Sequence, residues 1–282
     1  MNNLSPKISV ICSGIRADKW KKYFSTLSNS KVSFEFIVAG HIKPINNFPS
    51  NFKHIQTSVK PAQCVEIAAR EARGDLIMLT ADDCKLSNGF LDKYYSFYQD
   101  NCSEKDIASS LFKRYGNYFT EENYQFWTGI KNSPMLPQSA LMKRSLWHKL
   151  GGIDKRFIAI MGDIDLTLRV IENGGKVKFC KDVFVEEIMN ESFLTRVFNK
   201  LQKVFIKREN KKNETLFPEF GKKYDIPTIE KFWVKHISAT QNNDYHAIKG
   251  QEVLLKKRAE KLQKFKNKGL LEFSQGPKGR WK

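Results

Sequence analysis

The chain has 282 residues, 41% of them apolar, enough to bury one α/β core with an appendage or two small domains. Its five cysteines are scattered, odd in number and never in C-x-x-C spacing, which favours reduced, structural thiols over a disulfide frame or a zinc site. The formal charge is +18, and residues 191–282 hold 22 Lys/Arg against 10 Asp/Glu, so the basic field belongs mainly to the C-terminal third.

Lys7 to Cys12 reads as a short buried strand, closed by Ser13-Gly14. Trp20, Tyr23, Phe24 and Leu27 follow at helical spacing. Phe34 to Ala39 reads as a second strand ending at Gly40, and Lys53 to Gln56 as a third. Pro61 opens a helix expected to run through Arg73, with Gly74 as its stop. Leu76 to Thr80 is apolar throughout until its last residue, so it belongs in the middle of a sheet covered on both faces. Ser87-Asn88 is then placed to cap a helix carrying Phe90, Leu91, Tyr94, Tyr95 and Tyr98.

This alternation predicts an α/β fold with a doubly wound, mostly parallel sheet flanked by helices. Ligands of such sheets sit beyond the carboxyl ends of the strands, where Ser13-Gly14, Gly40 and Asp82-Asp83 fall. Residues 1–190 form this unit. Residues 191–282 form a basic, mainly helical extension, in which Phe193 to Arg208 has one apolar and one Lys/Arg face. The opening apolar stretch is too short for a signal peptide and no run approaches a membrane span. The expectation is a cytoplasmic protein, attached at most to the inner face of a membrane by electrostatics and one helix face.

Two acidic segments carry the chemistry. Gly74-Asp75, an apolar run and then Asp82-Asp83 place two carboxylates at the mouth of a buried strand. Hard cations such as Mn²⁺ or Mg²⁺ take oxygen ligands of this kind together with phosphates; an ordinary strand-end turn is the plain alternative. About eighty residues on, Gly151-Gly152-Ile153-Asp154 precedes Gly162-Asp163-Ile164-Asp165-Leu166. Asp163 at a helix start can take a proton from a hydroxyl or simply cap the helix. Asp165 and Arg169, four apart, read as a surface ion pair worth a few tenths of a kcal/mol. Ser13, Gly14, Arg16 and Lys60 are candidates to cradle a diphosphate, or belong to plain strand-to-helix turns. Trp127 can stack on a sugar ring or fill the core.

In this order the two segments resemble the inverting family 2 glycosyltransferases of the GT-A fold, over roughly residues 7 to 187. The resemblance implies a nucleotide-sugar donor, a divalent cation on its diphosphate held by Asp82 and Asp83, and Asp163 as general base toward a glycan or lipid-linked acceptor. It places Trp127, Gly152, Asp165 and Arg169 around the acceptor site. Glu186 falls where many relatives have a metal-binding His. Thr80 stands where the family's first Asp would be, and Gly162 where its Glu would be.

Two further readings stay open. One is a non-catalytic relative that binds a nucleotide or glycan; the other is a nucleotidyltransferase, for which Ser13-Gly14-Ile15-Arg16 supplies only a weak phosphate loop. Nucleic acid is not an expected partner, because the basic residues lie on helices with apolar faces and no aromatic-basic module is present.

Overall fold

The computed structural model describes residues 5–57, 59, 61–114, 117–119, 130–131, 137–154, 162–188 and 272–273. The expected helix of residues 193–208, most of the basic extension, Lys60 and Trp127 lie outside the described residues.

The first strand, β1 (Ile8–Ser13), is followed by α1 (Ala17–Ser28), β2 (Phe34–Gly40), β3 (Phe52–Gln56), α2 (Pro61–Arg70) and β4 (Leu76–Leu79). These four strands pair in parallel in the order β3-β2-β1-β4. The side chains of β1, β2 and β4 are buried on both faces, as central strands of a parallel sheet are, whereas β3 at the edge buries only Ile55. The chain leaves β1 toward β2 and β3 on one side and returns to β4 on the other. The crevice between the ends of β1 and β4 is therefore the switch point at which open α/β sheets bind ligands.

The sheet then changes character. After β5 (Cys84–Leu86) and α3 (Phe90–Asn101) come β6 (Ile107–Arg114), β7 (Asn117–Phe119), β8 (Ile130–Lys131), β9 (Gln138–Lys143), α4 (Arg144–Lys149), α5 (Gly162–Glu172) and β10 (Val177–Glu187). The order continues β4-β9-β6-β10-β5, with β9 antiparallel to both neighbours, β10 parallel to β6 and β5 antiparallel to β10. The sheet is thus parallel over its N-terminal half and mixed beyond it. A final strand, β11 (Glu272–Phe273), pairs with β8.

Helices cover both faces. α1 and α3 pack Trp20, Phe24, Leu27, Phe90 and Tyr94 against Val10, Phe36 and Met78. On the other face α2, α4 and α5 pack Ile67, Trp147 and Leu166 against Ile11, Ile37 and Ile77. The doubly wound architecture is the one the alternation of strands and helices predicts.

Two local expectations change. α2 stops at Arg70, three residues before the expected end. Buried Glu35 accepts the Arg73 N–H at 2.6 Å and the Ser9 hydroxyl at 2.6 Å, and Ser9 Oγ in turn accepts the Gly74 N–H at 2.8 Å. This network pulls the backbone out of the helix and onto β1. Gly74 is required by the close approach, since a Cβ there would lie 2.6 Å from the Ser9 nitrogen. Second, α3 is preceded by Gly89 in the left-handed conformation, with no side-chain cap. Ser87 Oγ instead accepts the Phe184 N–H at 3.1 Å and so holds β10.

Candidate active site

The turn after β1 and the turn after β4 are tied together by Asp82. Its Oδ2 accepts the backbone N–H of Ile15 at 2.6 Å and of Arg16 at 2.7 Å, and the indole N–H of Trp20 at 3.2 Å. Its Oδ1 accepts Arg16 Nη1 at 2.7 Å. The carboxylate is only 2% exposed. Asp82 therefore organises the start of α1, and a charge so deeply placed is tolerable because four donors surround it. Gly14, whose N–H donates to the Ala39 carbonyl at 3.0 Å, binds this turn to the end of β2, next to Ser13.

Asp83 is different. Its carboxylate is 22% exposed, with Oδ2 at 3.2 Å from Arg16 Nη2 and Oδ1 accepting only a long contact from the Cys84 thiol at 3.7 Å. Asp83 thus fits a cation that takes one carboxylate and completes its shell with phosphates and water. Asp82, with both oxygens used and no access, does not. Glu186 is opposite Lys85 in the β10–β5 register, whereas Glu187 is opposite Cys84. Side chains alternate along a strand, so Glu186 shares its face with Lys85 and not with Cys84. It pairs with Lys113 at 3.1 Å. Among the described residues no group of three His, Cys, Asp or Glu is arranged to hold a metal ion. Thr80 engages the Tyr23 hydroxyl at 2.5 Å.

Beside the turn after β4 opens a cavity of about 290 Å³. Thr80, Ala81 and Cys84 of the β4–β5 connection line one side, Pro61 and Val65 of α2 another, and Gly162, Asp163 and Thr167 of α5 a third. Asp163 is exposed in the first turn of α5. Gln138 and Ser139 also line the cavity. Ser139 has φ 43°, and β9 carries an extra residue there relative to β6, so a bulge turns the strand at the wall. The Tyr94 hydroxyl fixes it by donating to the Ser139 carbonyl at 3.0 Å.

The Gly151-Gly152 turn is clamped from both sides. Arg169 donates Nη2 to the Gly152 carbonyl at 2.5 Å and Nη1 to the Leu150 carbonyl, while its Nε bonds Asp165 at 2.8 Å. Asp165 is fully buried and Arg169 16% exposed, so this is an interior pair and not the surface pair that their spacing suggests. From α2, Glu66 accepts the Ile153 N–H at 2.8 Å, the Trp147 indole at 3.1 Å and Arg70 Nε at 2.6 Å. Burial pushes the Glu66 carboxyl above its usual range, against the opposing pull of these donors. Gly152 has φ +63°, and a Cβ on it would overlap the Glu66 carboxylate. Glu66 escapes sequence reading because Glu66 and Arg70, four apart, look like a solvated helix pair.

No protein-family model matches the chain and no curated protein matches it. Among solved structures, the 1–349 segment of S. aureus TarS aligns over 63% of this chain at 13% identity, with a TM-score of 0.49. The complex of that segment with UDP-GlcNAc aligns over 66% at 14% identity and the same TM-score. GalNAc-T7 with UDP, GalNAc and Mn²⁺ aligns over 66% at 10% identity and a TM-score of 0.49. The chain covers 60% of the TarS segment and 44% of GalNAc-T7. Likenesses of this degree assign neither an activity nor a residue role.

Proposed function

We propose that the protein is an inverting glycosyltransferase that moves a sugar from a nucleotide-sugar donor to a hydroxyl of a glycan or lipid-linked acceptor. The observation that carries this reading is the cavity bounded by Thr80, Ala81 and Cys84 beside the Asp pair and by Asp163. Its lining takes Thr80 and Ala81 from the first acidic segment and Asp163 from the second, while Asp82 and Asp83 are not among the lining residues.

In this mechanism the β1–α1 turn, held by Asp82, receives the nucleotide end of the donor. Asp163 accepts the proton of the acceptor hydroxyl as its oxygen bonds to the anomeric carbon. The bond from that carbon to the diphosphate breaks, and the nucleoside diphosphate departs with the electron pair. One displacement inverts the centre and requires no carboxylate nucleophile. The helix N-terminus beneath Asp163 favours its negative charge. A divalent cation, where present, would be held by Asp83 and would neutralise charge on the leaving diphosphate. Arg169 and Glu66 position the turn that leads toward α5, and the basic C-terminal third would serve an anionic acceptor or membrane surface.

The test is a thermal-shift screen of sugar nucleotides with and without Mn²⁺, followed by transfer assays with the stabilising donor. A donor that raises the melting temperature and is consumed by the parent but not by Asp163→Asn supports the reading. Absence of stabilisation by any sugar nucleotide would remove it.

A further inference from the structure

The cavity beside the turn after β4 is polar only on its outer side. Ile107, Ala140, Met142 and Leu166 line it, and all four are apolar and buried. Toward solvent stand Asp163, which is exposed, and Gln138 and Ser139, which are half-buried. The backbone of these last two is pinned. The Gln138 N–H bonds Ser109 Oγ at 3.0 Å, its carbonyl accepts the Ser110 hydroxyl at 3.3 Å, and the Ser139 carbonyl accepts the Tyr94 hydroxyl at 3.0 Å. A rigid wall with polar groups outside and apolar groups inside is built to orient a ligand that has two unlike ends.

We infer that the buried side of this cavity seats a methyl group of the transferred sugar, so that the protein selects acetamido or 6-deoxy sugars over their fully hydroxylated counterparts. The inference rests on the nucleotide-sugar reading above. A cavity of about 290 Å³ lies at the foot of the range for small-molecule sites, so it holds a sugar-sized group and not a whole sugar nucleotide. A hydroxyl pressed against Met142 and Leu166 would lose its water and gain no partner there. A methyl in the same place is buried without that cost and fills space that packed interiors do not leave empty. The other hydroxyls of the ring then face Gln138, Ser139 and Asp163. Ala140 on β9 and Ala62 on α2 are small, buried and part of the lining, so they set the room the substituent has.

The test is binding, read without turnover. Calorimetry gives dissociation constants for UDP-glucose, UDP-N-acetylglucosamine and UDP-6-deoxyglucose, with the same comparison on thymidine or guanosine diphosphate sugars where those bind instead. At least one methyl-bearing sugar should bind the parent roughly tenfold or more tightly than its hydroxylated counterpart, the usual worth of such a difference in an apolar pocket. Whichever does so names the substituent. Ala140→Ser puts a hydroxyl on the apolar wall and should bring that ratio toward one. Ala62→Ser does the same from α2, and reads the seat even where Ala140→Ser does not fold. Equal affinities in a parent that binds these donors, or a preference that neither variant alters, overturns the inference and leaves the transferase reading standing. Failure to bind any sugar nucleotide overturns both.

Discussion

The backbone N–H of Ile153 is bonded at 2.8 Å to a carboxylate oxygen of Glu66, 87 positions earlier in the chain. That bond joins α2, which lines one side of the cavity, to the turn preceding α5, which lines another. Glu66→Ala would leave the Trp147 indole, the Ile153 amide and Arg70 without their acceptor. A loss of about 1–3 kcal/mol for each of the two buried N–H donors left without an acceptor is expected in chemical denaturation. Glu66→Gln, which keeps the shape, should cost less. The pH dependence has a definite sign. Burial raises the folded pKa of Glu66 above the ordinary 4.5, so the folded state holds the proton more tightly than the unfolded chain. Its stabilising contribution is complete below the unfolded value and is lost as pH rises through the folded one. The deficit of Glu66→Gln relative to the parent should therefore be larger at about pH 4 than at about pH 7. A constant deficit would show that Glu66 does not titrate in this way.

The adjacent aspartates should separate in mutagenesis. Asp82→Ala removes the acceptor of two backbone amides, an indole and a guanidinium, and a loss of about 3–5 kcal/mol is expected. Asp83→Ala removes a partly exposed ion pair and should change stability by about 1 kcal/mol or less, while abolishing Mn²⁺-dependent stabilisation by the donor. Similar melting temperatures for the two variants would contradict this division of roles.

Asp163→Asn keeps the size of the side chain. It should lower transfer by roughly two to four orders of magnitude, the usual worth of a general base, with donor affinity almost unchanged. A variant with full turnover and reduced stability would make Asp163 a helix cap only.

Gly74→Ala tests the contact that ends α2. The added methyl meets the Ser9 backbone and hydroxyl, which are fixed by Glu35. Overpacking of this kind costs about 1–3 kcal/mol, and double-mutant coupling with Ser9→Ala is expected. Additive effects of the two changes would show that the approach is not tight.

The N-terminal half of the sheet is legible in sequence because β1, β2 and β4 are buried on both faces and its helices keep clean periodicity. Trp20, Tyr23, Phe24 and Leu27 mark α1 as plainly as Leu76 to Leu79 mark β4. The C-terminal half hides itself. In β6, Ser109 and Ser110 are fully buried, Ser109 donating to the Ser110 carbonyl and accepting the Gln138 amide, so a core strand reads as polar. In β9 and β10, bulges near Ser139 and between Cys180 and Phe184 break the alternation that would reveal a strand. The candidate site divides likewise. Asp82-Asp83 and Asp163 announce themselves by type and context, but nothing local distinguishes a buried anchor from an exposed carboxylate. That difference comes from where Trp20 and the β1–α1 turn fall. Asp165 and Arg169 look like solvent partners until α5 is laid against the Gly151-Gly152 turn.

The change from parallel to antiparallel pairing at the β4–β9 seam sets an order of assembly. Strands β1 to β4 lie within residues 8–79 and, among the described residues, pair with one another and, at that seam, with β9. Closing the seam joins Leu76 to Lys143, and β10 then docks Val177 beside Ile107. Long loops must be ordered before these later contacts form, so they are the slow ones. The parallel half should exist as a nucleus while the cavity is still unwalled. Pulsed hydrogen exchange during refolding should protect the amides of Ile11, Ile37 and Met78 before those of Leu141 and Val185. Simultaneous protection would mean that the two halves condense together.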